Sequence, residues 1–255
     1  MKIATWNVNS IRARLDRAVA WLQRTGPDVA CLQELKSSEE DFPRAEIEAL
    51  GYRIQATYQR TYNGVAILSR HDATAVVHSL DDGVEDPQAR LVAATVDGLR
   101  VVCVYVPNGG VVGSDKYAYK LAWMGRLRAW LERHHRPDEP LIVCGDLNIA
   151  PEARDVHDPA LWENESLFHV DSRRALQDLC AWGLQDALRL VTQEAGIYSW
   201  WDYRMLGFPK NRGLRIDHVL VTEPVARRVR GVTVERNERK GKQPSDHAPV
   251  VLELD

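Results

Sequence analysis

Ten short stretches of this chain carry β-branched or alternating apolar patterns: 2–7, 29–34, 64–69, 73–78, 90–96, 99–107, 141–146, 215–221, 229–235 and 250–254. An ordinary sheet has about four to six strands, so ten require more than one sheet. Asp97-Gly98 joins two of these stretches and is a strong two-residue hairpin signal. Those two strands are therefore antiparallel neighbours, which excludes a purely parallel architecture. Between the strands, Leu15, Ala18, Val19 and Leu22 recur at helical spacing before Gly26-Pro27, and 42–50 closes at Gly51. Leu121, Met124, Leu127 and Leu131 mark a third helix, and Leu176, Leu179 and Cys180 a fourth ahead of Gly183. Helices flanking two mixed sheets, an α/β arrangement, is the simplest architecture with this order. No repeat or linker interrupts the 255 residues, so one domain spanning 1–255 is expected.

A composition 45% apolar and 27% charged supports a packed core and excludes disorder. The longest apolar runs, such as 101–106, are strand-sized and far short of the roughly 18 residues of a membrane span, so no membrane association is expected. Met1-Lys2 leads straight into the strand-like 3–8 with no apolar h-region or small-residue cleavage site, so no secretory signal is visible and a cytoplasmic setting is expected. Cys31, Cys103, Cys144 and Cys180 lie far apart without Cys-x-x-Cys spacing, and read as reduced thiols rather than a zinc or disulfide framework. The net charge of −3 does not announce a nucleic-acid binder, but 204–242 holds eleven Lys/Arg against four Asp/Glu. Such a segment suits an anionic partner if a reactive site lies beside it.

Five places along the chain set a carboxylate or carboxamide at or near the end of an apolar run, or within one: Asn7 with Asn9, Glu34, Asp146 with Asn148, Asp217, and Asp246 beside His247. Any one alone reads as a turn residue. Five on different strands suggest convergence. Asp217, between Ile216 and Val219, needs a partner to tolerate burial. If the ends converge, oxygen donors dominate and His247 is the one imidazole, a set suited to Mg²⁺, with Mn²⁺ as substitute, rather than zinc. A hard cation held by few carboxylates leaves positions for substrate phosphate, which points to phosphoryl chemistry. Two other motifs are weaker. The loop 109–116 lies between a strand and a helix as a P-loop does but lacks the Gly-Lys-Ser/Thr ending, and Ser245, His247 and Asp217 could form a triad but no Gly-x-Ser-x-Gly elbow occurs. Residues 199–204 (SWWDYR) and 210–215 (KNRGLR) interleave aromatics with cations, a pattern that stacks on bases and holds phosphates.

The motifs TWNVNSIRAR from Thr5, CLQELK from Cys31, YVPNG from Tyr105, GDLNIAP from Gly145, SWWDYR from Ser199, NRGLRIDH from Asn211 and PSDHAPV from Pro244 run in order along nearly the whole chain. Together they make it resemble the exonuclease III family of DNA-repair nucleases, within the endonuclease/exonuclease/phosphatase superfamily. The resemblance implies a four-layer sandwich of two packed mixed β-sheets flanked by helices. It implies one or two divalent ions on Glu34, helped by Asn7 and Asp246, with Asp146, Asn148 and His247 adjoining. Asp146 would activate the attacking water, Asn148 would fix the scissile phosphate, and His247, steadied by Asp217, would face the phosphoryl oxygens. Tyr105 would stabilise the phosphate or the leaving 3′ oxygen. DNA contacts would come from Asn108, Trp200, Tyr203, Arg204, Asn211, Arg212, Leu214 and Ile216, with Trp200, Leu214 and Ile216 forming a small apolar pocket for a sugar lacking its base.

Two positions depart from the family pattern: Asn9 where some relatives carry an acid, and His169 where many carry a small residue beside the pocket. A bulky His169 would narrow the pocket and favour 3′ ends. The expected function is a Mg²⁺-dependent phosphodiesterase cutting duplex DNA 5′ to abasic sites and acting as a 3′–5′ exonuclease and 3′-phosphatase, as a monomer. The alternative is predominant 3′-end processing with weak abasic-site cleavage. A lipid- or inositol-phosphate enzyme is opposed by SWWDYR and NRGLRID, and an inactive binding module by the presence of Glu34, Asp146, Asn148, Asp217, Asp246 and His247.

Overall fold

Strand after strand in this chain is apolar on both faces, and the computed structural model, which describes residues 1–255, shows why. Its strands are β1 (Lys2–Asn7), β2 (Val29–Gln33), β3 (Arg53–Thr57), β4 (Val65–Ser69), β5 (Ala73–Val77), β6 (Leu91–Val96), β7 (Leu99–Tyr105), β8 (Leu141–Asp146), β9 (Leu184–Asp186), β10 (Asp217–Thr222), β11 (Val229–Val234) and β12 (Val250–Leu254). They form two six-stranded sheets, ordered β11-β12-β1-β2-β4-β3 and β5-β6-β7-β8-β10-β9. The helices are α1 (Leu15–Thr25), α2 (Arg44–Glu48), α3 (Asp115–His134), α4 (Pro159–Trp162), α5 (Val170–Cys180), α6 (Ala187–Val191) and α7 (Glu223–Ala226).

Alternate residues of each central strand enter different cores. Val101 and Cys103 of β7 join Ile3, Cys31, Ile142 and Val219 between the sheets. Val102 and Val104 turn outward onto Trp123, Met124 and Leu127 of α3 and Leu176 and Leu179 of α5. On the other side, Ala4, Trp6, Ala30 and Leu32 pack against Ala18, Trp21 and Leu22 of α1. The result is the expected helix–sheet–sheet–helix sandwich, in which doubly covered strands read as continuous apolar runs. Asp97-Gly98 makes the expected tight hairpin, with both residues at positive φ and Val96 opposite Leu99. No helix is long and apolar enough to cross a membrane.

Several elements differ from the sequence expectation. β3 is an edge strand whose RIQAT pattern lacks a continuous apolar run, and β9 has only three residues. The short helices α4, α6 and α7 are too brief for a helical period to show. The second helix begins only after Pro43, and β10 begins at Asp217 rather than Arg215, because Leu214 instead bridges to Val156 and Trp200. Within 109–116 the loop ends at Ser114, whose side chain caps α3 by accepting from Tyr117 N, and Asp115 and Lys116 already lie in the helix. The four cysteines are free thiols, three of them buried.

Candidate active site

Sheet topology brings the polar strand ends together. β1 pairs parallel with β2, and β7 with β8, so all four finish on one edge of the sandwich, where antiparallel β10 and β12 begin. The register sets Tyr105 and Asp217 on either side of Asp146. Glu34 and Asn148 follow β2 and β8 in left-handed backbone, with φ of 51° each. This conformation is uncommon for residues other than glycine and is sustained only by surrounding bonds.

The ligand atoms of Glu34, Asp146 and His247 lie within 4.8 Å of one another. Asn7 Nδ2 donates to Glu34 at 2.8 Å and to Asp146 at 2.9 Å, and Tyr105 Oη donates to Glu34 at 3.0 Å. Asp217 has the partners its burial demands: His247 Nδ1 at 2.8 Å and Ser199 Oγ at 2.6 Å. His247 Nε2 then faces Asp146 at 3.7 Å. Ser245 Oγ is occupied with Asn7 O and His247 N, so no Ser/His/Asp triad forms. Asn148 donates from Nδ2 to Val106 O and from its backbone to Asp146, and accepts from Asn108 Nδ2 at 3.2 Å. Asp246 stands apart from the close trio, its carboxylate accepting from Asn9 Nδ2 at 2.9 Å and Trp200 Nε1 at 3.0 Å.

Burial pushes the Asp146 carboxyl up to about 7, against the pull of His247. Burial alone would lower His247, but Asp217 and Asp146 outweigh it and hold the imidazolium at about 10. Tyr105 is driven well above its ordinary value by burial and by Glu34 and Asp146, so its hydroxyl keeps its proton. The carboxylates of Glu34 and Asp146 suit a hard divalent cation, with the His247 imidazolium beside them as a charge rather than a donor.

Beside this cluster, Leu214, Ile216, Leu167, Phe168, Val156 and Ala150 pack with Trp162 and Trp200 into a separate apolar group. Trp200 links the two regions through Asp246. His169 follows Phe168 directly but caps α5 and turns its ring edge-on to Tyr117, whose hydroxyl lies 2.9 Å from Nδ1. Its sequence neighbour Phe168 belongs to the apolar group, while the imidazole itself is held by Tyr117 and Asp171. Asn108, Tyr203, Arg204, Asn211 and Arg212 are exposed, although Asn211 Oδ1 already accepts from Trp201 Nε1.

The basic segment 204–242 does not form one patch. Arg215 is buried between Asp155 and Asp186, while Arg227 and Arg230 pair with Glu223 and Asp255. Other residues joined to the site carry no distinctive sequence signal. Lys36 Nζ reaches Glu34 and Asn9, both at 2.7 Å, and Arg14 ties Asn9 O to Tyr203 Oη. Its position two residues after Glu34 was the available clue for Lys36. Met205 and Leu206 stand 77% and 62% exposed in a loop with positive φ, and that apolar pair among cations was legible.

Residues 4–247 match the model of the endonuclease/exonuclease/phosphatase family, and the chain belongs to it. Exodeoxyribonuclease III of Haemophilus influenzae is 33% identical over the whole of both chains. An AP endonuclease from Archaeoglobus fulgidus superposes with a TM-score of 0.97 at 38% identity, covering 100% of this chain and 99% of that one. A 3′ phosphatase from Neisseria, bound to product DNA hairpin, gives 0.95 at 41% identity with the same coverage. The chain is thus an enzyme of the nuclease branch of this family, whose members are metal-dependent.

Proposed function

We propose that the protein is a Mg²⁺-dependent DNA-repair phosphodiesterase, built as one domain and working as a cytoplasmic monomer, that cuts duplex DNA 5′ to abasic sites and trims or dephosphorylates 3′ ends. Mn²⁺ would substitute. The observation that carries this reading is the cluster of Glu34, Asp146 and the His247–Asp217 pair, joined through Asp246 and Trp200 to a buried apolar group that includes Leu214 and Ile216. Glu34 and Asp146 would hold the cation, with Asn7 orienting both and Asp246 supporting from beside them. The ion would neutralise charge on the phosphoryl oxygens and the departing 3′ oxygen.

The pKa values separate the roles of the protein's own groups. Asp146 would accept the proton of the attacking water through a carboxylate oxygen not taken by the ion. His247 stays protonated at neutral pH, so it serves as a fixed positive charge toward the phosphoryl group rather than as a base. Asp217 keeps the imidazole in place. Water adds to phosphorus, its proton passes to Asp146, and the P–O3′ bond breaks. The Tyr105 hydroxyl, now donating to Glu34, would turn to donate a hydrogen bond to the leaving 3′ oxygen, which takes its proton from solvent, and Asn148 would use its remaining Nδ2 hydrogen on the phosphate. Arg204, Arg212, Tyr203, Asn108 and Asn211 line the DNA approach.

A second reading, predominant 3′-end processing, is favoured by the bulky His169 next to Phe168 of the apolar group, its ring fixed by Tyr117. One experiment separates the two. An end-labelled duplex carrying a tetrahydrofuran abasic analogue is incubated with Mg²⁺ or EDTA, beside duplexes with a recessed 3′-hydroxyl and a 3′-phosphate. Metal-dependent incision 5′ to the analogue supports the abasic endonuclease, and processing of 3′ ends alone supports the second reading. Inertness on all three duplexes would sink both.

A further inference from the structure

Lys120 of α3 is fully buried, yet no carboxylate contacts its ammonium. Nζ instead donates to three backbone carbonyls: Asn108 O at 3.1 Å, Asn148 O at 2.7 Å and Ser166 O at 2.8 Å. These belong to three separate loops, one after β7, one after β8 and one before α5. We propose that Lys120 is a positioning residue whose ammonium clamps the three substrate-facing loops, holding Asn148 at the phosphate and the Ser166–His169 segment at the apolar group.

The surrounding bonds agree with a clamp. Ser166 Oγ donates to Asn108 O at 3.0 Å, and Ser172 Oγ donates to Ser166 O at 2.7 Å. Tyr117 Oη lies 3.1 Å from Ser172 Oγ and 2.9 Å from His169 Nδ1, which extends the same network to His169. Gly109 sits directly on the lysine stem: a Cβ there would come 2.8 Å from Lys120 Cδ and 3.3 Å from Ser166 Cβ. The left-handed Asn148 needs external restraint, and its carbonyl takes the shortest of the three bonds. Burial pulls the ammonium down from its ordinary value, and the three carbonyl bonds are what hold the charge in place.

The inference rests on the proposed hydrolysis, so its test has one arm that needs no activity. In Lys120→Met, hydrogen–deuterium exchange is expected to rise together in 107–113, 147–151 and 163–169, with α3 unchanged. Turnover on the best of the three duplexes should fall on the order of 10²-fold in kcat with KM nearly constant, the loss typical of a small misplacement. In an Asn148→Ala background the same substitution should cost little more, because the clamp acts through Asn148. Faster exchange confined to α3, or equal losses in both backgrounds, would overturn the proposal. If Lys120→Met does not fold, Ser166→Ala removes one cross-link alone. It should loosen 107–113 and lower kcat only when Asn148 is present; unchanged exchange or an additive loss would refute the clamp.

Discussion

Asp146→Asn should remove activity and, in the absence of metal, make the protein more stable. The carboxyl is buried and raised from 3.8 to about 7. Between those values the folded state holds a proton that the unfolded state has released, so stability falls as pH rises through this window and the full deficit is present above it. Three pKa units correspond to about 4 kcal/mol at pH 8. Asparagine carries no charge to bury, but its amide presents N–H groups toward Asn7 Nδ2 or Asn148 N, where Asp146 now accepts two bonds. Losing one costs about 2 kcal/mol. The net gain is about 2 kcal/mol at pH 8, roughly 4–8 °C in Tm for a chain of this size, shrinking to near zero at pH 5. Calorimetry in EDTA at both pH values measures it. With metal, kcat should drop 10²-fold or more while DNA affinity stays nearly constant. A lower Tm at pH 8, or a gain that does not diminish toward pH 5, would refute the assignment of a strained carboxylate. A loss of DNA binding equal to the loss of rate would refute its role as base.

His169→Ser removes the imidazole and should raise abasic-site incision relative to 3′-end removal; an unchanged ratio of the two rates discards the idea that this side chain sets preference. Gly145→Ala should not yield folded protein, because a Cβ would lie 1.9 Å from Val104 O in the neighbouring strand and φ is 150°. A folded, active Gly145→Ala protein would show the strand pairing beneath Asp146 to be wrong. Asp217→Asn should lower kcat by about 10²-fold by loosening His247, with KM little affected, and steady-state kinetics on the 3′-phosphate duplex would detect it.

Asn7, Glu34, Asp146 and Asp217 stand out in the sequence because each acid or amide lies at or just past the end of an apolar strand, or at its start, with His247 shortly before another, and Asp217 has the partner that its burial called for. The layering was legible for a related reason: strands covered on both faces leave no polar alternation. Elements at the margins were hidden. β9 is too short to show a period, and β3 lies at an edge where polar side chains are tolerated. The segment 204–242 misled in part because linear charge does not reveal which arginines meet carboxylates inside the fold, as Arg215 does. Lys120 was invisible for the opposite reason. A lysine within an amphipathic helix reads as solvated, and only the convergence of three loops makes it a buried donor.

The two sheets contribute equally to the reactive cluster. Asn7 and Glu34 come from the first sheet and its following residue, and His247 precedes β12 of that sheet; Tyr105, Asp146 and Asp217 belong to the second. A chain with only one sheet assembled therefore owns half a reaction centre. Asp146 and Asp217 meet Asn7 and His247 only when the interior between the sheets has closed, which joins residues up to 139 positions apart. Nascent, partly unfolded or proteolysed forms are thereby disarmed, and a protein able to cut DNA acquires that ability together with its complete tertiary structure.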